Sequence, residues 1–331
     1  MQIYIRFIAI TLCALSLAVF AESPPLLKNV ESCFKGPFET HGKWLKFLES
    51  KKKKFNKERF LERFTETRFN TIKMKLVCKN FRYEVDGYTV EGYYLKPRNL
   101  SNKKLPVVIY NRGGNAGFGY VFFGKKLQLI SDMAMAGYVV IGSQYRGASS
   151  RFISNNGQDE FGGNDINDVI KLIEVAKEIP EADTNNIGMV GWSRGVMQSY
   201  IVSKSIPSLK TLIAIAGNSD TEKALVWRPK MEKVYKARVP NFEKNRTAEL
   251  ESRSVSKWLD KIPSTMSILL LHGDKDKRVN VEQSIYLAAQ LEERKHPHKL
   301  VIYSNDNHGL VRHRKEMTKE ITSWLKTNLS R

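Results

Sequence analysis

The chain has 331 residues, 42% of them hydrophobic and 27% charged, and its 54 Lys and Arg outweigh 34 Asp and Glu for a net charge of +20. These proportions exclude a disordered or fibrous chain, and folding at this length buries roughly 75% of the extended surface without a disulfide scaffold. Three cysteines exclude a cysteine-rich zinc module, while the basic balance favours anionic surfaces without specifying a fold.

The first 21 residues read as a secretory leader. Arg6 precedes an apolar run from Phe7 to Phe20, and Val19-Phe20-Ala21 supplies the cleavage positions before Glu22-Ser-Pro-Pro ends the stretch. The run is shorter than the about 20 apolar residues that span a bilayer, and Cys13 lacks the small residue that precedes a lipid-modified cysteine. The mature chain is therefore expected to be exported, to the periplasm or the medium, without stable membrane insertion. Removing the leader leaves Cys33 and Cys78, for which an oxidising compartment favours a bridge worth about 4 kcal/mol by loop closure.

Residues 22–80 read as a basic helical segment. Trp44, Leu45 and Leu48, then Phe60, Leu61 and Phe64, recur at helical spacing around Lys51-Lys-Lys-Lys54. Two short helices with a solvated basic face are expected. From residue 81 strands and helices alternate. Phe81 to Val85 and Tyr88 to Leu95 flank Asp86-Gly87, a hairpin signal. Apolar strands follow at 106–110, 138–142, 186–191, 209–216, 267–271 and 299–303, with helices at 120–136, 165–179, after Ser193, at 280–295 and at 312–329. Strands apolar on both faces predict an α/β fold, a mostly parallel twisted sheet covered by helices on both sides, with the hairpin as an antiparallel edge. Residues 218–263 carry Trp227, Trp258 and dense charge, and read as a helical insertion over the carboxyl edge of that sheet.

Gly191-Trp-Ser193-Arg-Gly195 fits G-x-S-x-G where a strand passes abruptly into a helix. The serine of such a turn occupies a strained backbone position, and the glycines let strand and helix approach without a Cβ clash. A serine hydroxyl needs a base, and the base needs an orienting acid. Asp276 follows the next-to-last strand and His308 the last, so both fall on loops at the edge that bears Ser193. In this arrangement His308 takes and returns the Ser193 proton, and Asp276 fixes the imidazole tautomer; Asp274 is the rival acid on the same loop. One oxyanion donor falls on the amide of Arg194, and the second on Gly113 or Gly114 in Asn111-Arg-Gly-Gly-Asn115. Arg112 either aims at the site or pairs with an acid. Gly117-x-Gly119 meets Phe122 where a dinucleotide loop requires a third glycine. His41, His296, His298 and His313 read as surface groups and His272 as loop packing. No ligand pattern suggests a metal.

The strand entering Gly191-Trp-Ser-Arg-Gly195, Gln144-Tyr-Arg-Gly147, Phe161-Gly-Gly-Asn-Asp165 with Asp168, His272-Gly-x-x-Asp276-x-x-Val279 and Asn307-His-Gly309 together resemble the catalytic domain of the prolyl oligopeptidase (S9) family, over roughly residues 81–331. Dienelactone-hydrolase-like and acyl-peptide hydrolase enzymes share parts of the pattern, although dienelactone hydrolases usually place cysteine where Ser193 stands. The resemblance implies an α/β-hydrolase fold and carries Ser193, Asp276 and His308 over as a triad. Two departures stand out: the segment before residue 81 is too short for the β-propeller many members carry, and Asn111-Arg-Gly-Gly replaces the usual His-Gly-Gly-Pro. The expected activity is that of an exported serine hydrolase cleaving a small peptide or ester through an acyl-enzyme on Ser193, with a carboxylesterase lacking peptidase activity as the alternative. Neither a cofactor nor a nucleic-acid partner is implied.

Overall fold

A computed structural model describes residues 24–98 and 103–329; the leader expected over residues 1–21 lies outside them. Among the described residues nine strands form one sheet in the order β1-β2-β3-β5-β4-β6-β7-β8-β9. They are β1 (Lys28–Ser32), β2 (Leu76–Val85), β3 (Tyr88–Pro97), β4 (Leu105–Asn111), β5 (Val139–Ser143), β6 (Ala182–Trp192), β7 (Thr211–Ile215), β8 (Ser267–Gly273) and β9 (His298–Tyr303). The first three strands and the β3–β5 pair run antiparallel, and every pairing from β5 through β4 to β9 is parallel. The hairpin turns at Asp86-Gly87, both at positive φ, as a two-residue turn of matching twist requires.

Sequence patterning missed β1 because it is an edge strand with mostly exposed residues and no apolar alternation. The sheet also begins earlier than residue 81, since β2 starts at Leu76. Cys33, just past β1, is bonded to Cys78 of β2, and its amide donates to the Cys78 carbonyl at 3.0 Å.

The N-terminal segment forms three helices where spacing predicts two: α1 (His41–Lys51), α2 (Lys57–Arg63) and α3 (Glu66–Lys75). Thr40, Asn56 and Thr65 cap them, each side chain accepting an amide of the first turn. The lysine run 51–54 is exposed. The expected helix at 120–136 is broken into α4 (Phe123–Lys125), a π-type turn over Lys126–Ile130 and α5 (Ser131–Met135), with Gln128 at non-helical φ −113°, ψ −132°. Further on lie α6 (Ile166–Lys177), α7 (Arg194–Ser203), then α8 (Thr221–Trp227), α9 (Glu232–Arg238) and α10 (Phe242–Ser252) within the insertion, and finally α11 (Glu282–Glu293) and α12 (Arg314–Asn328).

Alternate residues of the central strands feed two cores. Val107, Ile109 and Leu212 pack with α6, α7, the insertion helices and α11 on one face. Val108, Ile213 and Leu269 pack with α1–α5 and α12 on the other. On that second face Trp44 meets Phe60, Phe64 and Phe123 at ring-centroid distances of 4.7, 4.8 and 5.0 Å. This aromatic clamp seats α2 beside the π-type turn. Among the described residues no helix is long and apolar enough to cross a membrane.

Candidate active site

The turn between β6 and α7 places Ser193 at φ 58°, ψ −121°, a conformation a side-chain-bearing residue adopts only when its surroundings enforce it. The enforcement is visible. A Cβ on Gly195 would lie 2.0 Å from the Asn111 carbonyl oxygen, and one on Gly191 would lie 2.6 Å from the Gly195 oxygen. Only glycines let β4, β6 and α7 converge this closely. The Ser193 amide donates to the Ile215 carbonyl at 2.8 Å, which ties the turn to the neighbouring strand.

The loops after β8 and β9 bring the acid and the imidazole together. His308 Nδ1 lies 2.7 Å from Asp276 Oδ2. The other carboxylate oxygen accepts the amides of Arg278 at 2.7 Å and Val279 at 3.1 Å. His272 Nε2 also lies 3.2 Å from Oδ2 and 3.1 Å from the Val279 carbonyl, while its Nδ1 meets Ser284 Oγ at 2.7 Å. A ring nitrogen facing a carbonyl must carry the proton, so His272 donates from Nε2 and accepts from Ser284. His272 thus packs the loop and braces Asp276. Burial pushes the Asp276 carboxyl up, but hydrogen bonds from His272 and His308, the His308 charge and the Arg278 amide outweigh it and hold the group well below the usual carboxylate range. Asp276 rather than Asp274 meets the imidazole. Trp192 Nε1, from the residue before Ser193, donates to the His308 carbonyl at 3.2 Å and pins that loop to the turn.

Gly113 lies against the same turn: a Cβ there would come within 3.0 Å of Ser193 Cβ and 3.7 Å of its Oγ. Gly114 has φ 83°, and its added Cβ would strike the Phe118 carbonyl at 2.1 Å. Arg112 reaches the wall of the cleft that Ser193 lines and has no acid partner among the described residues. Its buried guanidinium donates to the carbonyls of Gln144, Ala116, Phe118 and Gly113, so it shapes the glycine loop from within. Burial and the neighbouring Arg194 charge pull its pKa down to about 10.

Sequence reasoning missed what holds this loop to the turn. The Arg194 side chain donates to Asp159 at 2.7 Å, to Asp165 and to the Gly114 carbonyl at 3.1 Å, and Asp159 Oδ2 also accepts the Ala116 amide. Tyr145 receives Arg112 and Arg194 over its ring at 4.8 and 5.0 Å. Arg146 donates to Asp168 through Nε at 2.9 Å and Nη2 at 2.7 Å, and pairs with Asp86. The Gln-Tyr-Arg and Phe-Gly-Gly-Asn-Asp runs are therefore the two halves of a buried ionic frame. A charged residue beside an Asp-rich stretch was the available signal, but nothing local paired one with the other. His41 is a correction: it is buried, with Nε2 2.6 Å from the Phe64 carbonyl and its ring stacked on Phe60. His296 is half-buried against the Met266 carbonyl, and His313 faces Asp306 at 3.1 Å.

Ser193, Gly113, Gly114 and His308 all line one cleft of about 1180 Å³, which the insertion borders through Arg228, Met231 and Val234. Less expected, Arg63 of α2 and Arg314 of α12 also reach its wall. One cleft thus brings together a serine hydroxyl, an imidazole in contact with a carboxylate, and a glycine-rich loop.

Comparison with known proteins agrees with this architecture. Residues 123–331 match the model of the prolyl oligopeptidase family. An uncharacterized peptidase, YtmA, of Bacillus subtilis is 23% identical over 77% of this chain and 94% of its own length. A second from that organism, YuxL, is 26% identical over 74% of this chain but only 38% of its own. The structure of Pyrococcus horikoshii acylaminoacyl peptidase superposes with a TM-score of 0.63 at 21% identity, covering 77% of this chain and 42% of that one.

Proposed function

The chain belongs to the prolyl oligopeptidase family, whose members are α/β-fold serine hydrolases, and from that premise we propose that it is an exported hydrolase of peptides or esters acting through an acyl-enzyme on Ser193. The observation that carries the reading is the 2.7 Å contact between His308 Nδ1 and Asp276 on the cleft into which Ser193 opens. With Nδ1 donating to a carboxylate, Nε2 is left as the basic nitrogen. His308 takes the hydroxyl proton as Ser193 Oγ adds to the substrate carbonyl. The oxyanion that forms accepts from the Arg194 amide and from an amide of Gly113 or Gly114, whose carbonyls accept the Arg112 and Arg194 side chains. Collapse of the adduct breaks the bond to the leaving group, which departs with the proton from His308. Water then enters by the same route in reverse and frees the acyl product.

A fluorophosphonate probe should label wild-type protein at Ser193 and fail to label Ser193→Ala, with both proteins giving the same thermal melt; labelling of another serine would sink the assignment. An N-blocked aminoacyl anilide assayed beside a short-chain nitrophenyl ester then decides the bond type. Turnover of esters alone would make the protein a carboxylesterase without peptidase activity. Export is supported by the leader-like residues 1–21 and the Cys33–Cys78 bridge. An expressed chain retaining residues 1–21 at its mature N-terminus, or carrying both thiols free, would count against it.

A further inference from the structure

We propose that the cleft selects substrates bearing a carboxylate, and that Arg63 and Arg314 form the subsite that receives it. The inference rests on the reading of this cleft as that of a Ser193 hydrolase.

The wall of the cleft is chemically one-sided. Among the described residues ten arginines and lysines line it, and no Asp or Glu does. The whole chain holds 34 acids to 54 bases, so a wall drawn at random would include several carboxylates. These cations come from parts of the sequence far apart: α2, the insertion, the Asp276 loop and the start of α12. Two of the ten, Arg112 and Arg194, are consumed by the buried frame behind the turn.

Arg63 and Arg314 differ from those two. Both donate to one neutral acceptor, Gln128 Oε1, Arg314 at 2.7 Å. The Gln128 amide is held in that orientation because its Nε2 donates to the Gly124 carbonyl at 2.8 Å. A guanidinium has five N–H donors, and among the described residues neither arginine meets any other hydrogen-bond acceptor. The acids near Arg314 are already engaged: Asp132 pairs with Arg68 at 2.7 Å, and Asp306 accepts three backbone amides and faces His313. Burial lowers both pKa values, and for Arg63 the Arg314 charge adds to the effect. Two partly desolvated cations brought side by side against one amide oxygen repel each other, and an anion laid across them would relieve that repulsion and fill their free donors. By the same chemistry a substrate's free α-ammonium would find no carboxylate among the described residues of this wall.

The anion can come from an acidic side chain or from the free C-terminus of a short peptide, and one experiment separates them. Acetylated pentapeptides differing only in a central Glu, Gln or Lys, each made with a free or an amidated C-terminus, are digested by wild-type protein and followed by chromatography at low and at high salt. At low salt kcat/KM should favour an anionic peptide over its Lys counterpart by about tenfold or more, and high salt should shrink the ratio. A preference for Glu over Lys that survives amidation assigns the side chain; a preference for free over amidated peptides, whatever the central residue, assigns the terminus. Arg63→Gln with Arg314→Gln should lower the ratio severalfold, whereas Arg314→Lys, which keeps the charge, should retain most of it. Equal rates on all six peptides, a preference for Lys or for the amidated end, or a preference the double substitution leaves untouched would each overturn the subsite. Fluorophosphonate labelling of the wild-type protein distinguishes the failures: no labelling removes the hydrolase reading itself, while a labelled enzyme without charge preference removes this inference alone.

Discussion

Arginines behind the Ser193 turn and arginines in front of it sit in opposite electrostatic circumstances. Behind it, Arg194 is enclosed with Asp159 and Asp165 and Arg146 with Asp168, all five side chains of these three pairs being almost wholly buried. In front, Arg63 and Arg314 share a glutamine, and no acid lines the cleft among the described residues. Buried charge survives only when paired, so the rear cations serve the fold, fixing the turn and the glycine loop. The front cations keep partial access to solvent and have donors to spare, which is the condition of a binding surface. The contrast teaches that charge type says little by itself; the state of a cation's partners separates frame from site.

The sharpest cut through this contrast removes chemistry without touching the frame. His308→Ala should lower kcat/KM at least about 10⁴-fold while leaving the denaturation midpoint near that of wild type, as measured on a nitrophenyl ester and by urea titration. A midpoint that fell in step with activity would mean that His308 belongs to the frame. Next in size, Asp165→Asn strips a partner from buried Arg194 and should cost about 3–5 kcal/mol of stability in the same titration. A neutral outcome would erase the distinction between rear and front.

Lys126 tests the rule from the other side. It is a buried cation whose ammonium meets Asn80 Oδ1 and faces the Tyr93 ring at 5.1 Å, without a carboxylate ion pair among the described residues. Burial pulls its pKa down to about 7. Between about pH 7 and 10.5 the unfolded chain binds a proton that the folded chain does not, so stability should rise with pH across that window, by about 2–4 kcal/mol. In Lys126→Met that slope should vanish, which denaturant titrations at pH 7 and 10 would show; an unchanged slope would mean that Lys126 stays charged. The smallest effect falls in front: Arg314→Gln should shift the unfolding free energy by less than about 1 kcal/mol, even where it weakens turnover of anionic peptides. A larger loss would return Arg314 to the frame.

Much of the molecule is legible along the chain. The apolar strands, the glycines around Ser193 and the two loop acids and bases announce themselves because each depends on neighbours within a few residues. The broken helix at Gln128 escaped that reading, since the 3.6-residue pattern persists through the π-type turn that interrupts it. So did the burial of His41, which is fixed by the Phe60 ring of another helix and the Phe64 carbonyl just past its end.

The sequence by itself determined the α/β alternation, the strained serine turn and the order of acid and imidazole after it, because period, glycine placement and loop position are local properties of a polymer. Only the tertiary structure decided that Asp276 rather than Asp274 meets His308, that Arg112 folds its own loop, and that Arg63 from the basic N-terminal helices stands beside Arg314 on the cleft. Those outcomes depend on which charges find partners across long stretches of chain, and pairing over such distances is set by packing rather than by any pattern read along the backbone.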